Sequence, residues 1–199
     1  MDAIDMTKIL ATAALVAALA GCAGSNYDIA RRHDNLRDYK GADAGFVVAS
    51  EGGERGGHFD ASGLTFQRVG SEDLVDFGFA MRQMIGTPDH DFEAGSAIGK
   101  VRAIRLPPGD YEAVGIYGVQ NVNGGQFRRQ LAPGQLRFTV KTGEAVYLGR
   151  YVIGEMRFNP QLFISDRQAE DLDVAKKRLP DLPVATITSA VPPEGHRQY

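Results

Sequence analysis

The chain has 199 residues, a formal net charge of −3 and a single cysteine, Cys22. That length supplies one domain's worth of buried core. The near-neutral balance gives no long-range pull toward nucleic acid or anionic lipid, and one cysteine rules out an intrachain disulfide. Tryptophan is absent, whereas 24 glycines and 9 prolines suit a chain with many tight turns.

The first element is an apolar run from Ile9 to Ala20. A membrane span needs about 20 residues, so this shorter run predicts the apolar part of a secretory signal rather than a transmembrane helix. Asp2 and Asp5 offset Lys8 where a signal should be positive. Starting at Met6 leaves Met6-Thr7-Lys8 ahead of the run, and Met6 is therefore the expected start.

Leu19-Ala20-Gly21-Cys22 resembles the lipobox of bacterial lipoprotein precursors. The resemblance implies a signal peptide over residues 1–21, cut before Cys22. It also implies a diacylglyceryl thioether on Cys22 and an acylated amino group. One acyl chain binds a membrane only marginally, at ~0.8 kcal/mol per buried CH₂, so two or three are needed for a lasting anchor. Ala23 stands where retention at the inner membrane would favour Asp. By similarity to the sorting rule of enterobacterial lipoproteins, this implies an outer-membrane anchor with the domain facing the periplasm.

Residues 22–44 are expected to be the lipidated terminus and a tether, with Tyr27–Lys40 able to form a short charged helix. Within it, Arg31-Arg32 reads as a solvated face. A single domain is expected over 45–199. Phe46–Ala49 is an apolar run, Leu64-Thr65-Phe66-Gln67 alternates like a half-buried strand, and Val75–Met81 is a further strand candidate. The glycine-rich stretch Glu51–His58 reads as a flexible turn. Val101–Leu106, the turn Pro107–Asp110 and Tyr111–Val119 together predict a hairpin. Asn123-Gly124 is a hairpin signal and Ala132-Pro133-Gly134 another turn.

Leu136, Phe138 and Val140 alternate as an inward face, and Lys141–Glu144 turns that strand into Ala145–Ile153, apolar on both faces as a central strand is. Leu162–Ile164 predicts a strand. A helix of about 166–179 follows, capped by Ser165 or Asp166, with Ala169, Leu172, Ala175 and Leu179 as its stripe. Pro180 stops it, and Val184–Thr188 predicts a last strand. The fold class expected is mainly β: an antiparallel β-sandwich with one C-terminal helix at an edge or end.

Leu106–Tyr111, then Leu136-x-Phe138-x-Val140, then Gly143–Gly149 resemble a strand–turn–strand arrangement found in small bacterial lipoproteins of unknown function. That resemblance covers roughly residues 100–153. It implies an immunoglobulin-like or transthyretin-like sandwich and assigns no chemistry. Tyr111, after a Pro-Gly corner, also resembles a tyrosine corner, whose hydroxyl bonds upstream backbone.

Asp89, His90, Asp91 and Glu93 are the densest metal-capable cluster. Ala94 stands where a calcium loop needs its turn glycine, and Lys100 where it needs its bidentate glutamate. A polar loop opened by Thr87-Pro88 is the reading preferred, and neither metal nor cofactor is expected. Lys141-Thr142-Gly143 matches one β-lactamase element without its Ser-x-x-Lys companion. The four histidines, His33, His58, His90 and His196, show no ligand spacing, and no catalytic residue is assigned.

The function expected is therefore non-catalytic: a membrane-anchored envelope lipoprotein that binds or assembles with an envelope protein complex, and not with nucleic acid. One alternative is a glycan or small-ligand module using Tyr117, Tyr147 and Tyr151 as an aromatic platform, with core packing the reading preferred for those residues. Another is an envelope hydrolase without a recognisable motif.

Overall fold

Alternation of apolar and polar side chains carries most of the described residues into strands. The computed structural model describes residues 34–37, 39–81, 89–122, 125–131, 136–156, 159–192 and 195–198. The lipobox with Cys22, Met6, Arg31-Arg32, His33 and the turns at 87–88, 123–124 and 132–134 lie outside the described residues.

The strands are β1 (Gly45–Glu54), β2 (Ala61–Arg68), β3 (Leu74–Ala80), β4 (Phe92–Ala94), β5 (Ala97–Leu106) and β6 (Gly109–Val122). They continue as β7 (Gly125–Leu131), β8 (Arg137–Val140), β9 (Ala145–Met156) and β10 (Asn159–Ser165). The helix α1 (Gln168–Arg178), β11 (Thr188–Ser189) and β12 (Gly195–Gln198) follow. One sheet has the order β12-β10-β9-β1-β5-β4, with β11 on β9. The other has the order β3-β2-β6-β7, with β8 on β6. The protein is mainly β, and its described residues form two sheets and one α-helix.

The first sheet is mixed, which corrects the expectation of antiparallel pairing throughout. β1 runs parallel to β9, and so does β11. The reason lies where β1 and β9 begin. Gly143 N–H donates to Ala44 O at 3.0 Å and Phe46 N–H to Glu144 O at 2.9 Å, so both strands leave from the same end.

The hairpin expected over Val101–Val119 and the turn expected at Lys141–Glu144 are crossings between sheets instead. β5 belongs to the first sheet and β6 to the second, and Pro107 and Pro108 between them have no N–H to continue a ladder. Tyr111 Oη donates to Pro107 O at 2.8 Å and pins that corner as a tyrosine corner does. Likewise, Lys141–Glu144 carries the chain from β8 in the second sheet to β9 in the first. β6 and β7 do form the antiparallel hairpin flanking Asn123-Gly124, with Val122 opposite Gly125.

Side chains from both sheets share one core. It includes Val47, Leu148 and Ile164 from the first sheet and Leu64, Phe66, Phe77, Ile116 and Phe138 from the second. Leu136, Phe138 and Val140 are buried as their alternation predicts. Phe138 stacks on Tyr111 and meets Phe66 edge-on. A second cluster, including Val48, Val101, Tyr147, Ala175 and Leu182, lies on the other side of the first sheet. Helix α1 therefore covers a face of that sheet rather than an edge or end. Asp166 Oδ1 accepts from Gln168 N–H at 3.0 Å at its start. The predicted stripe is incomplete, because Ala169 is exposed while Asp171 is fully buried.

A bulge makes that burial possible. Between Val48 and Ser50 of β1 the partner strand advances from Tyr147 to Arg150, one residue too many. Gly149 absorbs the extra residue at φ +106, a conformation open to glycine. The shift sends Arg150 to the helix side, where it pairs with Asp171, and returns Tyr151 to the shared core.

The glycine-rich stretch is not a flexible turn at its start, since Glu51–Glu54 are strand residues of β1. A Cβ on Gly53 would run into Met81 Sδ, and one on Gly52 into the backbone oxygen of Ile98. These glycines serve close packing. Folded structure also starts upstream of Gly45. Leu36 is buried, and residues 35–37 form a turn against the outer edge of β3 rather than part of a helix. Leu36 N–H donates to Leu74 O at 3.2 Å, while Asn35 Oδ1 and Asp34 Oδ1 accept from Leu74 and Asp76 N–H at 2.7 and 3.1 Å. Side chains thereby occupy an edge that would otherwise pair with another strand. Near the end, Pro183 starts a 3₁₀ turn over Val184–Thr186, so the predicted last strand shrinks to Thr188–Ser189.

Candidate functional site

The Asp89–Glu93 cluster is occupied by the protein's own cations. Lys100 Nζ donates to Asp89 Oδ2 at 2.5 Å, Arg178 Nη2 to Asp91 Oδ1 at 2.6 Å and Arg55 Nη1 to Glu93 Oε1 at 2.8 Å. His90 Nε2 lies 3.6 Å from Glu93 Oε2. Hydrogen bonding from Lys100 holds the Asp89 carboxyl below the ordinary carboxylate range, and Arg55 does the same for Glu93. Asp91 has a further task, because its Oδ2 accepts from Val101 N–H at 2.8 Å. Among the described residues no group of three or more His, Cys, Asp or Glu could hold a metal ion.

The three tyrosines do not share a face, which corrects the aromatic platform. Tyr147 faces the helix, donating to Asp171 Oδ2 at 2.7 Å, and burial pushes its phenol pKa up. Tyr151 lies in the shared core and donates to Leu148 O at 2.8 Å. Tyr117, on the second sheet, is half-buried against Gly63 and Gly78 and donates to Asp76 Oδ2 at 2.6 Å. The other Asp76 oxygen accepts from Thr65 Oγ1 at 2.7 Å.

What the fold does assemble is a cleft of about 220 Å³ between the edges of β3 and β5. Val75, Phe77, Val101, Ala103 and Ile104 line it, and so do three arginines from separate segments. Arg37 comes from the turn on β3, Arg102 from β5 and Arg178 from the end of α1. Arg37 binds Asp34 and donates to Asp76 O at 3.2 Å. Arg102 Nε donates to Glu51 Oε1 and its Nη2 to Gly78 O, both at 2.8 Å, so it clasps one sheet to the other. Arg178 donates to Val101 O and to Asp91. Each guanidinium thus uses part of its fork of N–H donors, and among the described residues the remainder has no protein partner.

Glu51 stands behind Arg102. It is 3% exposed, and its Oε2 has no hydrogen-bond partner. Burial pushes its carboxyl up to about 8, against the pull of Arg102. Burial therefore works against the charged form of Glu51 and so against its neutralising Arg102.

None of these four residues stands out in the sequence. The arginines sit in ordinary polar positions of three distant segments. Glu51 was hidden by the glycines after it, although its phase with Val47 and Ala49 was a usable signal that it points inward.

No protein-family model matches the chain, and no curated protein matches it. Among solved structures, it is similar to a leucine-rich repeat protein from Bacteroides thetaiotaomicron at 13% identity and a TM-score of 0.35. The match covers 59% of this chain and 15% of that one, and it bears on neither fold nor function.

Proposed function

We propose that this protein is a lipid-anchored lipoprotein of the bacterial envelope that works by non-covalent binding. Its two sheets stack as a β-sandwich, a reading supported by the single core they share and by the two chain crossings between them. The observation that carries the binding role is the cleft between β3 and β5, which three arginines line together with apolar residues. That chemistry suits recognition. The lipobox Leu19–Cys22 carries the anchor, and Ala23 favours the outer membrane with the domain on the periplasmic side. A lipid tether concentrates such a domain at the membrane, so weak contacts with an envelope complex become effectively intramolecular.

The test is a cross-linked pull-down of the lipidated protein from its native membranes, beside a secreted form with Cys22 and the lipobox replaced. A discrete envelope partner enriched only with the lipidated form is expected. Equal recovery of both forms in the soluble fraction would remove the anchor from the proposal.

A further inference from the structure

We propose that the cleft between β3 and β5 binds the oxyanion group, carboxylate or phosphate, of a small ligand through Arg37, Arg102 and Arg178. This rests on the reading of the protein as a binding module and deepens it.

Three arginines line this one cleft in a chain whose net charge is −3, so their meeting runs against the average of the sequence. Their carboxylate neighbours do not close the site. Asp34 and Asp91 each hold one side of Arg37 and Arg178. Asp76 lines the cleft but turns both carboxylate oxygens to Thr65 and Tyr117. The partner of Arg102 is Glu51, whose carboxyl is buried in the protein rather than exposed in the cleft, and burial works against its charged form.

The backbone adds a donor. Val101 N–H and C=O point away from β1, to Asp91 and Arg178. In an antiparallel ladder the pattern repeats every two residues, so Ala103 N–H faces the same way, into the cleft that it lines. A planar or tetrahedral oxyanion there can take forked donors from arginine, which is the geometry that makes guanidinium the usual partner of such groups.

The experiment is calorimetry of the full-length lipidated protein in nonionic detergent, titrated in separate arms with inorganic phosphate and with acetate at pH 7. Saturable binding of one is expected, and the arm that saturates identifies the group. Arg37→Gln and Arg178→Gln should each weaken it about tenfold. Arg102→Gln should do the same or more, and its thermal midpoint reports whether the clasp survives. Arg137→Gln, at an exposed pair with Glu112, serves as the control and should leave binding unchanged. No saturable binding in either arm overturns the proposal, as does wild-type affinity in the Arg37 and Arg178 variants. A failed titration beside a successful pull-down would reject the cleft and keep the binding module.

Discussion

Glu51→Gln tests the interior of this protein with a change of one atom. The glutamine keeps an oxygen to accept from Arg102 Nε and fills the same space, but it cannot ionise. In the folded chain the carboxyl titrates at about 8 against an ordinary value of 4.5. Below pH 4.5 both folded and unfolded chains hold the proton, and the group costs nothing. Above it the unfolded chain releases a proton that the folded chain keeps, so stability falls as pH rises and levels off beyond about 8. At about 1.4 kcal/mol per unit, the full gap is on the order of 5 kcal/mol, of which roughly 4 falls between pH 5 and 9. The groups that act on Glu51 are Arg102, which lowers its pKa, and Asp76, which raises it. Asp89 and Glu93 have lowered pKa values, so their titration lies below this window. Urea unfolding of both proteins at pH 5, 7 and 9 is the assay. The wild type should lose stability across the series, and the variant should be flatter and more stable at pH 9. Parallel pH dependences in the two proteins would refute the reasoning.

Four further outcomes follow from the same contacts. Asp171→Ala takes from the buried Arg150 its buried carboxylate, leaving it the exposed Glu170 at 3.2 Å, and removes the acceptor of Tyr147, so denaturation should show a loss of about 3 kcal/mol. Replacing both partners by apolar residues (Arg150→Met with Asp171→Leu) should restore much of it. Tyr111→Phe leaves Pro107 O unsatisfied at the corner and should cost about 1–3 kcal/mol by the same measurement. Gly149→Ala forces a side chain into positive φ, 3.0 Å from Val191 Cγ1, and should lower stability by about 1–2 kcal/mol. Asp91→Ala should lower the melting temperature equally with and without Ca²⁺, because Asp91 serves Val101 and Arg178. A melting temperature raised by Ca²⁺ in the wild type alone would instead make it a ligand.

Period-2 patterning was legible wherever one strand face met the core. Leu136, Phe138 and Val140 point inward as read, and Ala145–Ile153 is a central strand with Val146 and Tyr147 buried on opposite faces. What patterning cannot express is which strand pairs with which. A Pro-Gly corner looks the same whether the chain folds back on itself or steps to another sheet. Here the difference lies in Tyr111, whose hydroxyl ties a crossing rather than a hairpin. The bulge at Gly149 is invisible for a related reason, since one residue inserted in β9 inverts the faces beyond it. Without that inversion Arg150 would point into the shared core and Tyr151 toward the helix, and Asp171 would have no buried cation to meet.

The cleft was illegible because it is a property of edges. Its three arginines come from a turn, a strand and a helix end that share no local pattern, and they meet only because β3 and β5 are edge segments of different sheets. The side chains that cap those edges also set the charge of the cleft. Asp34 and Asp91 satisfy backbone N–H groups with one oxygen and an arginine with the other. Edge protection and the gathering of guanidinium groups are therefore one arrangement. On this reasoning, Asp34→Asn should keep its hydrogen bond to Asp76 N–H and leave Arg37 less neutralised. Phosphate or acetate binding should then tighten while the fold is retained, and unchanged affinity would break the link between the two roles.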